Sequence, residues 1–155
     1  MKSNQDVAML PIPPLSCTCG QLRKLSRRMT SFYEQYMRQI GLKLSQYSVL
    51  ANMSEQQQTL LQLADRLDMD RTTLTRSLRP LVEQGWIAEI AGDDARQRRL
   101  VLTPAGKSFR QLAQARWRDA QLALEAQLGR EFVAGLNAQM QQALSQLKPA
   151  LPEEN

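Results

Sequence analysis

Histidine is missing from the 155 residues of this chain. That removes the commonest general base and the commonest zinc ligand, so most hydrolase and metalloenzyme schemes lose their usual parts. A phosphate-cradling glycine loop and a recognisable pair of catalytic carboxylates are missing too, and the chain reads as a non-enzyme with no cofactor. Cysteine is scarce: Cys17 and Cys19 are the only two, with one residue between them. A disulfide framework needs well-separated pairs, so a reduced, intracellular setting is expected. Two thiols without histidine also leave a tetrahedral ion short of ligands, and no metal site is expected. Aromatic residues make up 5% of the chain, and leucine and alanine dominate, which favours packed helices over a sandwich or barrel. No stretch reaches the roughly eighteen apolar residues of a membrane span. Asp6, Pro11, Pro13 and Pro14 interrupt the segment where a signal peptide would lie. A cytoplasmic protein with no membrane partner is the expectation.

What is present is a mild basic excess, +5 at neutral pH with a pI near 9.6, compatible with a polyanionic partner without requiring one. Residues 1–15 read as a flexible, proline-stiffened arm and 149–155 as an acidic tail. From about Ser16, apolar residues recur at three- and four-residue steps (Leu22, Leu25, Met29, Phe32, Tyr33, Tyr36, Met37, Ile40), with Arg23, Lys24, Arg27 and Arg28 opposite. Gly41 stops this helix. Ser45 is the expected cap of a short second helix carrying Tyr47, Val49, Leu50 and Met53.

Two helices separated by a tight turn follow. Thr59 and Gln62 stand at capping-box spacing, and Leu60, Leu63, Ala64 and Leu67 form the buried stripe of the first. Asp68-Met69-Asp70 is the turn, with Asp70 capping a second helix that runs to about Gln84. Leu74, Leu78, Leu81 and Val82 form its back; Arg71, Thr72, Thr75, Arg76 and Arg79 form its front, and Thr73 lies in the first turn. Pro80 falls inside this helix, removes the hydrogen bond to the Arg76 carbonyl and should kink it.

Trp86 to Ala91 and Leu100 to Leu102 are short β-prone runs. Gly92-Asp93-Asp94 is the turn between them and Arg96 to Arg99 a basic tip, a charged hairpin. Thr103-Pro104 opens a long helix through Phe109, Leu112, Ala113, Ala120 and Leu124 to about Leu128. Gly129 breaks it before a last helix with Phe132, Leu136, Met140, Leu144 and Leu147. Trp86 and Trp117 read as core or interface fillers rather than ligand cages.

Helix, tight turn, arginine-rich helix and basic hairpin, in that order, make a winged helix-turn-helix: a mainly α fold with a small β-hairpin wing. The second helix suits the major groove of double-stranded DNA, where arginine can pair with guanine and threonine can meet the thymine methyl. A hairpin guanidinium suits the neighbouring minor groove. Arg71, Thr72, Thr73, Thr75, Arg76, Arg79, Arg96, Arg98 and Arg99 are therefore candidate DNA contacts. The bland alternative is a solvated basic face.

Four segments together resemble the MarR family of transcriptional regulators. They are Gly41-Leu42 with Ser45-Gln46-Tyr47-Ser48-Val49-Leu50; Leu63-Ala64-Asp65-Arg66-Leu67; Asp70-Arg71-Thr72-Thr73-Leu74-Thr75-Arg76 leading to Leu81-Val82-Glu83-Gln84-Gly85-Trp86-Ile87; and Asp94-Ala95-Arg96-Gln97-Arg98-Arg99-Leu100-Val101-Leu102-Thr103-Pro104-Ala105-Gly106. The likeness spans roughly residues 20–148 and is specific as a combination of motifs, though each piece is weak alone. It implies a homodimer in which 16–44 and 104–148 interlock, with 45–103 as the DNA-binding domain. Two recognition helices would then read a pseudo-palindromic operator, as in a repressor. Asp94 would orient Arg96 or Arg98, and a small aromatic or phenolic effector would bind between the winged domain and the dimer helices.

The cysteines leave a choice open. They can be small, half-buried residues at a helix start. Alternatively, the helix N-terminus with Arg23 and Lys24 would favour a reactive thiolate. In the hydroperoxide-responsive branch of the family the sensing cysteine falls on Cys19. One partner tyrosine falls on Tyr33, and the position of the other holds Leu44. Cys17 and Cys19 are too close in sequence to pair comfortably. A winged helix can also serve as a protein-interaction module, but such modules commonly lose the arginines that this chain keeps.

Overall fold

Thr59, Asp70 and Thr103 each open a helix by satisfying backbone N–H groups that the first turn leaves unpaired. Thr59 Oγ1 accepts from the Gln62 N–H at 3.1 Å, and Gln62 Oε1 accepts from the Thr59 N–H at 2.8 Å. Asp70 Oδ1 accepts from the Thr73 N–H at 2.8 Å, and Thr103 Oγ1 from the Gly106 N–H at 3.0 Å. These starts fix the frame of a computed structural model that describes residues 17–92 and 98–147. The arm, the acidic tail, and Asp93, Asp94, Ala95, Arg96 and Gln97 lie outside the described residues.

The elements in chain order are α1 (Thr18–Met37), a 3-10 turn (Arg38–Ile40), α2 (Leu44–Ala51), β1 (Gln58–Thr59), α3 (Leu60–Leu67), α4 (Arg71–Glu83), β2 (Ile87–Ala91), β3 (Arg98–Leu102), α5 (Pro104–Leu128) and α6 (Arg130–Gln146). The fold is mainly helical, with one small antiparallel sheet of order β1-β3-β2. Ile87 pairs with Leu102 and Ala91 with Arg98, while Gln58 pairs with Leu100 on the other side of β3.

Four details depart from the sequence reading. The cap of α2 is Lys43 rather than Ser45: Gln46 Oε1 accepts from the Lys43 N–H at 2.9 Å, which draws Leu44 and Ser45 into the helix. β1, the last glutamine of a short run and the threonine after it, was not legible; Gln58 is buried there, its amide 3.1 Å from the Met53 sulfur. β3 begins at Arg98, so Arg98 and Arg99 belong to a strand and not to the hairpin tip, because cross-strand pairing with Ala91 and Ile90 extends that far. Trp86 precedes β2 and stacks on Phe109, ring centroids 3.6 Å apart. As the sequence placed it, Pro80 stands inside α4, which continues to Glu83; the N–H of Gln84 reaches the Pro80 carbonyl at 3.0 Å.

The core is formed where α2, α3, α4 and the sheet converge. Leu50, Leu63, Leu74, Leu81 and Ile87 are fully buried there, joined by Met37 from the end of α1 and Ala113 from α5. The apolar backs expected of α3 and α4 are present: Leu63, Ala64, Leu74, Leu78 and Leu81 are buried. α1 lies along α5, and α6 folds back on α5. α6 buries only Val133. Phe132, Met140 and Leu144 on the same helix and Leu147 just past its end, with Leu22 on α1 and Leu122 and Leu128 on α5, stay exposed. Among the described residues no helix is long and apolar enough to cross a membrane.

Candidate nucleic-acid interface

Burying Leu74, Leu78 and Leu81 on one side of α4 turns its polar residues outward, because helical residues three and four apart share a face. Arg71, Thr72, Thr75, Arg76 and Arg79 are all exposed. Together with Leu60 they line one shallow cleft of about 520 Å³. An adjoining cleft of about 510 Å³ runs between α4 and the sheet and is lined by Arg71, Thr75, Leu78, Glu89, Arg98 and Leu100, among others. Arg98 is thus brought beside the arginine-threonine front of α4, on the same side. Arg99 is half-buried on the adjacent strand position. Asp94 and Arg96 lie outside the described residues.

Two threonines carry local duties. Thr73 Oγ1 donates to Asp70 Oδ2 at 2.6 Å, which commits its hydroxyl to the cap. Thr75 Oγ1 donates to the Arg71 carbonyl at 2.7 Å, which leaves the hydroxyl oxygen its acceptor capacity. The hydroxyl and amide of Thr73 hold the Asp70 carboxyl below its ordinary value. Arg79 Nε lies 2.8 Å from Glu83 Oε1, and Arg98 Nη1 lies 2.7 Å from Glu89 Oε2. Among the described residues Arg71 and Arg76 have no ion-pair partner.

The segment between α2 and β1 is tied to the long helix. Arg110 donates to the Met53 carbonyl at 3.0 Å and pairs with Glu55. Lys107 reaches the same carboxylate at 3.1 Å. The hydrogen bond from Arg110, then that from Lys107, lowers the Glu55 carboxyl below the usual range.

A second concavity, about 480 Å³, opens between α1, α2, α5 and α6. Its walls are mainly apolar, including Leu25, Met29, Leu124, Val133 and Leu136, with Tyr33, Tyr47, Trp117, Gln121 and Asn137 among them. Tyr33 donates to Gln121 Oε1 at 2.5 Å, and Gln121 Nε2 donates to Glu125 at 2.9 Å. Burial, then the charge of Glu125, raises the Tyr33 phenol; burial raises that of Tyr47, opposed by Arg118. No Asp, Glu, Lys or Arg is among the lining residues, and the charges felt there are those of Glu125 on Tyr33 and Arg118 on Tyr47. Trp117, expected as a packing residue, stacks near Tyr33 with centroids 6.5 Å apart and lines this space.

Cys17 and Cys19 are both free and exposed. Cys17 caps α1, its sulfur 3.5 Å from the Gly20 N–H. Tyr33 lies fourteen residues beyond Cys19 on the same helix, roughly 21 Å at the α-helical rise, so the two do not meet within one chain. Sequence reasoning missed Glu83 and Glu89 as partners of the arginines. It also missed the polar lining of the concavity, whose residues come from four helices spread along the chain.

A model of the MarR family matches residues 40–99. Among solved structures, the M. tuberculosis transcriptional regulator MosR in complex with DNA is 35% identical, over 83% of this chain and 96% of that one, with a TM-score of 0.69. A mutant MarR from E. coli complexed with operator DNA has a TM-score of 0.74 at 22% identity, over 84% of this chain and 96% of that one. Bordetella bronchiseptica BpsR, whose DNA binding is regulated by 6-hydroxynicotinic acid, has a TM-score of 0.77 at 15% identity, over 88% of this chain and 99% of that one. At the last two identities the likeness is one of fold. No curated protein sequence matches the chain.

Proposed function

The chain belongs to the MarR family of transcriptional regulators, and on that footing we propose that it is a sequence-specific, non-enzymatic cytoplasmic repressor. It binds a pseudo-palindromic operator as a homodimer and releases it when a small uncharged aromatic or phenolic molecule enters the concavity between α1, α2, α5 and α6. The observation that carries the reading is the convergence of Arg71, Thr72, Thr75, Arg76, Arg79 and Arg98 on one exposed side, over adjoining clefts. α4 enters the major groove, its arginines and Thr75 meeting base edges, while further guanidinium groups hold phosphates.

The homodimer is supported by the uncovered apolar faces of α1, α5 and α6. Exposed apolar area of this extent is costly unless a partner covers it. α1 with α5–α6 then forms the dimer region, and 45–103 the reading unit. The effector reading is supported by a concavity of a size and apolar character typical of small-molecule sites. Its lack of ionised side chains favours an uncharged ligand over a carboxylate, which would be desolvated there without a counter-charge.

The deciding experiment is selection of duplexes from a random library by the full chain, followed by titration of the selected operator and of a scrambled duplex. Arg76→Ala is expected to weaken the operator more than the scrambled duplex, because a bidentate base contact is lost from one complex only. Equal losses on both would refute base reading by α4.

A second reading, thiol-based control, is favoured by one observation: Cys17 and Cys19 are exposed at the start of α1. Peroxide would oxidise the Cys19 thiolate to the sulfenic acid, itself being reduced to water or an alcohol, and weaken DNA binding. Since Tyr33 is remote on the same helix, any Cys19–Tyr33 constellation requires the partner subunit. If a Cys19→Ser protein loses its operator with peroxide just as the wild type does, thiol control through Cys19 is excluded.

A further inference from the structure

The side of the molecule that gathers the arginines also carries two carboxylates. Glu83 sits one helical turn after Arg79 and holds it at 2.8 Å; Glu89 reaches diagonally across the hairpin to hold Arg98 at 2.7 Å, since the residue directly opposite Arg98 is Ala91. Neither pair props up the core. The arginine side chains are 80% and 79% exposed, and the carboxylates 59% and 34%. An exposed pair adds little to stability, and a carboxylate on a surface that faces DNA is repelled by every nearby phosphate. Arg71 and Arg76, which line the adjoining clefts, carry no such restraint among the described residues.

We propose that Glu83 and Glu89 set the specificity of DNA binding by withholding Arg79 and Arg98 from loosely docked duplex; the proposal rests on the DNA-binding reading above. The physical basis is distance. A phosphate oxygen takes a guanidinium from a carboxylate only by reaching hydrogen-bond range itself. A duplex seated with α4 in its groove brings phosphates that close, and the weak, exposed pairs exchange. A duplex held at one water's remove does not displace them, and meets two neutral ion pairs instead of two free positive charges. The carboxylates therefore penalise non-specific complexes, whose affinity is almost wholly a phosphate effect, more than the specific one. Specificity here is gained by disfavouring the wrong complex.

The test uses the full chain, Glu83→Gln/Glu89→Gln, and two duplexes: the operator selected by the wild type and a scrambled version of equal length. Exposed pairs are worth about 1.4- to 5-fold each, so affinity for the scrambled duplex should rise roughly 2- to 25-fold. Its salt dependence should steepen by about 2 in log–log slope as two more cations engage phosphates. Affinity for the operator should rise by less, so the ratio between the two falls. Glu131→Gln, which removes one carboxylate from exposed α6, should alter neither ratio nor slope. Equal rises on both duplexes, no rise at all, or the same effect from Glu131→Gln would overturn the proposal while leaving DNA binding intact. If the wild type retains no duplex in a salt-sensitive manner, both the proposal and the DNA-binding reading are lost.

Discussion

Replacing Gly106 by alanine pits a gain in helix propensity against a steric clash, and the structure decides the sign. Gly106 lies in the first turn of α5, buried against the junction between α4 and the sheet. A β-carbon there would overlap the carbonyl oxygen of Trp86, stand 2.8 Å from the carbonyl carbon and 3.0 Å from Leu102 Cδ1. Alanine in place of glycine in a helix is worth about 0.8–1.0 kcal/mol in its favour. The obstacle is backbone, so it cannot rotate away, and overpacking of this kind costs about 1–3 kcal/mol or more. The same junction is held by the Thr103 N–H to the Trp86 carbonyl at 3.1 Å and by Thr103 Oγ1 to the Gly85 carbonyl at 2.7 Å. Displacing it strains two hydrogen bonds worth about 1 kcal/mol each. The net expectation is a loss of about 2–4 kcal/mol, or roughly 5–15 °C in Tm for a chain of this size. Urea unfolding followed by tryptophan fluorescence, at one fixed protein concentration, measures it. Gly135→Ala on α6, where a β-carbon meets nothing within 4 Å, is the matched control and should be neutral or stabilising. A Gly106→Ala protein as stable as the wild type would refute the close approach of α5 to Trp86.

Three further outcomes are expected. The Asp70 carboxyl titrates below its ordinary value because Thr73 donates to it, so its stabilisation is complete above the unfolded pKa of about 3.9 and vanishes as pH falls through the lower folded value; Asp70→Asn should flatten the acid limb of a stability–pH curve, and an unchanged limb would deny the cap its role. Leu144, 69% exposed on α6, should be covered twice in a two-fold dimer, so Leu144→Glu should weaken association by about 3 kcal/mol or more, roughly hundredfold; light scattering that shows the same species as the wild type would place the interface elsewhere. An uncharged phenol that occupies the concavity should quench Trp117, with the response abolished in Trp117→Phe and weakened in Tyr33→Phe; quenching that persists without Trp117 would move the ligand to another site.

The helix-turn-helix was legible because its signals are local. Thr59 with Gln62, Asp70 with Thr73 and Thr103 with Pro104 act within four residues of one another, and the leucines of α3 and α4 repeat at helical spacing. The front of α4 followed from those leucines by geometry alone. β1 was illegible because two residues carry no period, and its existence depends on Leu100, forty-two residues later. The start of β3 was misjudged for the opposite reason: a run of arginines looks like a solvated tip, and only pairing with Ala91 and Ile90 shows it to be strand. The concavity draws Tyr33, Trp117 and Asn137 from three helices, a tertiary coincidence that no window of sequence contains. Arg98 with Glu89 is invisible until the hairpin register is known, whereas Arg79 with Glu83 stood at an obvious i, i+4 spacing and was readable in principle.

The placement of β3 between the other two strands has a mechanical consequence. β1 leads directly into α3 and β2 follows closely on α4, so the chain enters and leaves the α3–α4 pair along opposite borders of a single ribbon. Residues 58–102 thereby close into a loop laced shut by that ribbon, and Thr103 continues from the lacing straight into α5. Leverage applied along α5 reaches both helices of the unit at once. The whole reading head should swivel as one piece, like a key turned by its shaft, with little bending between its parts.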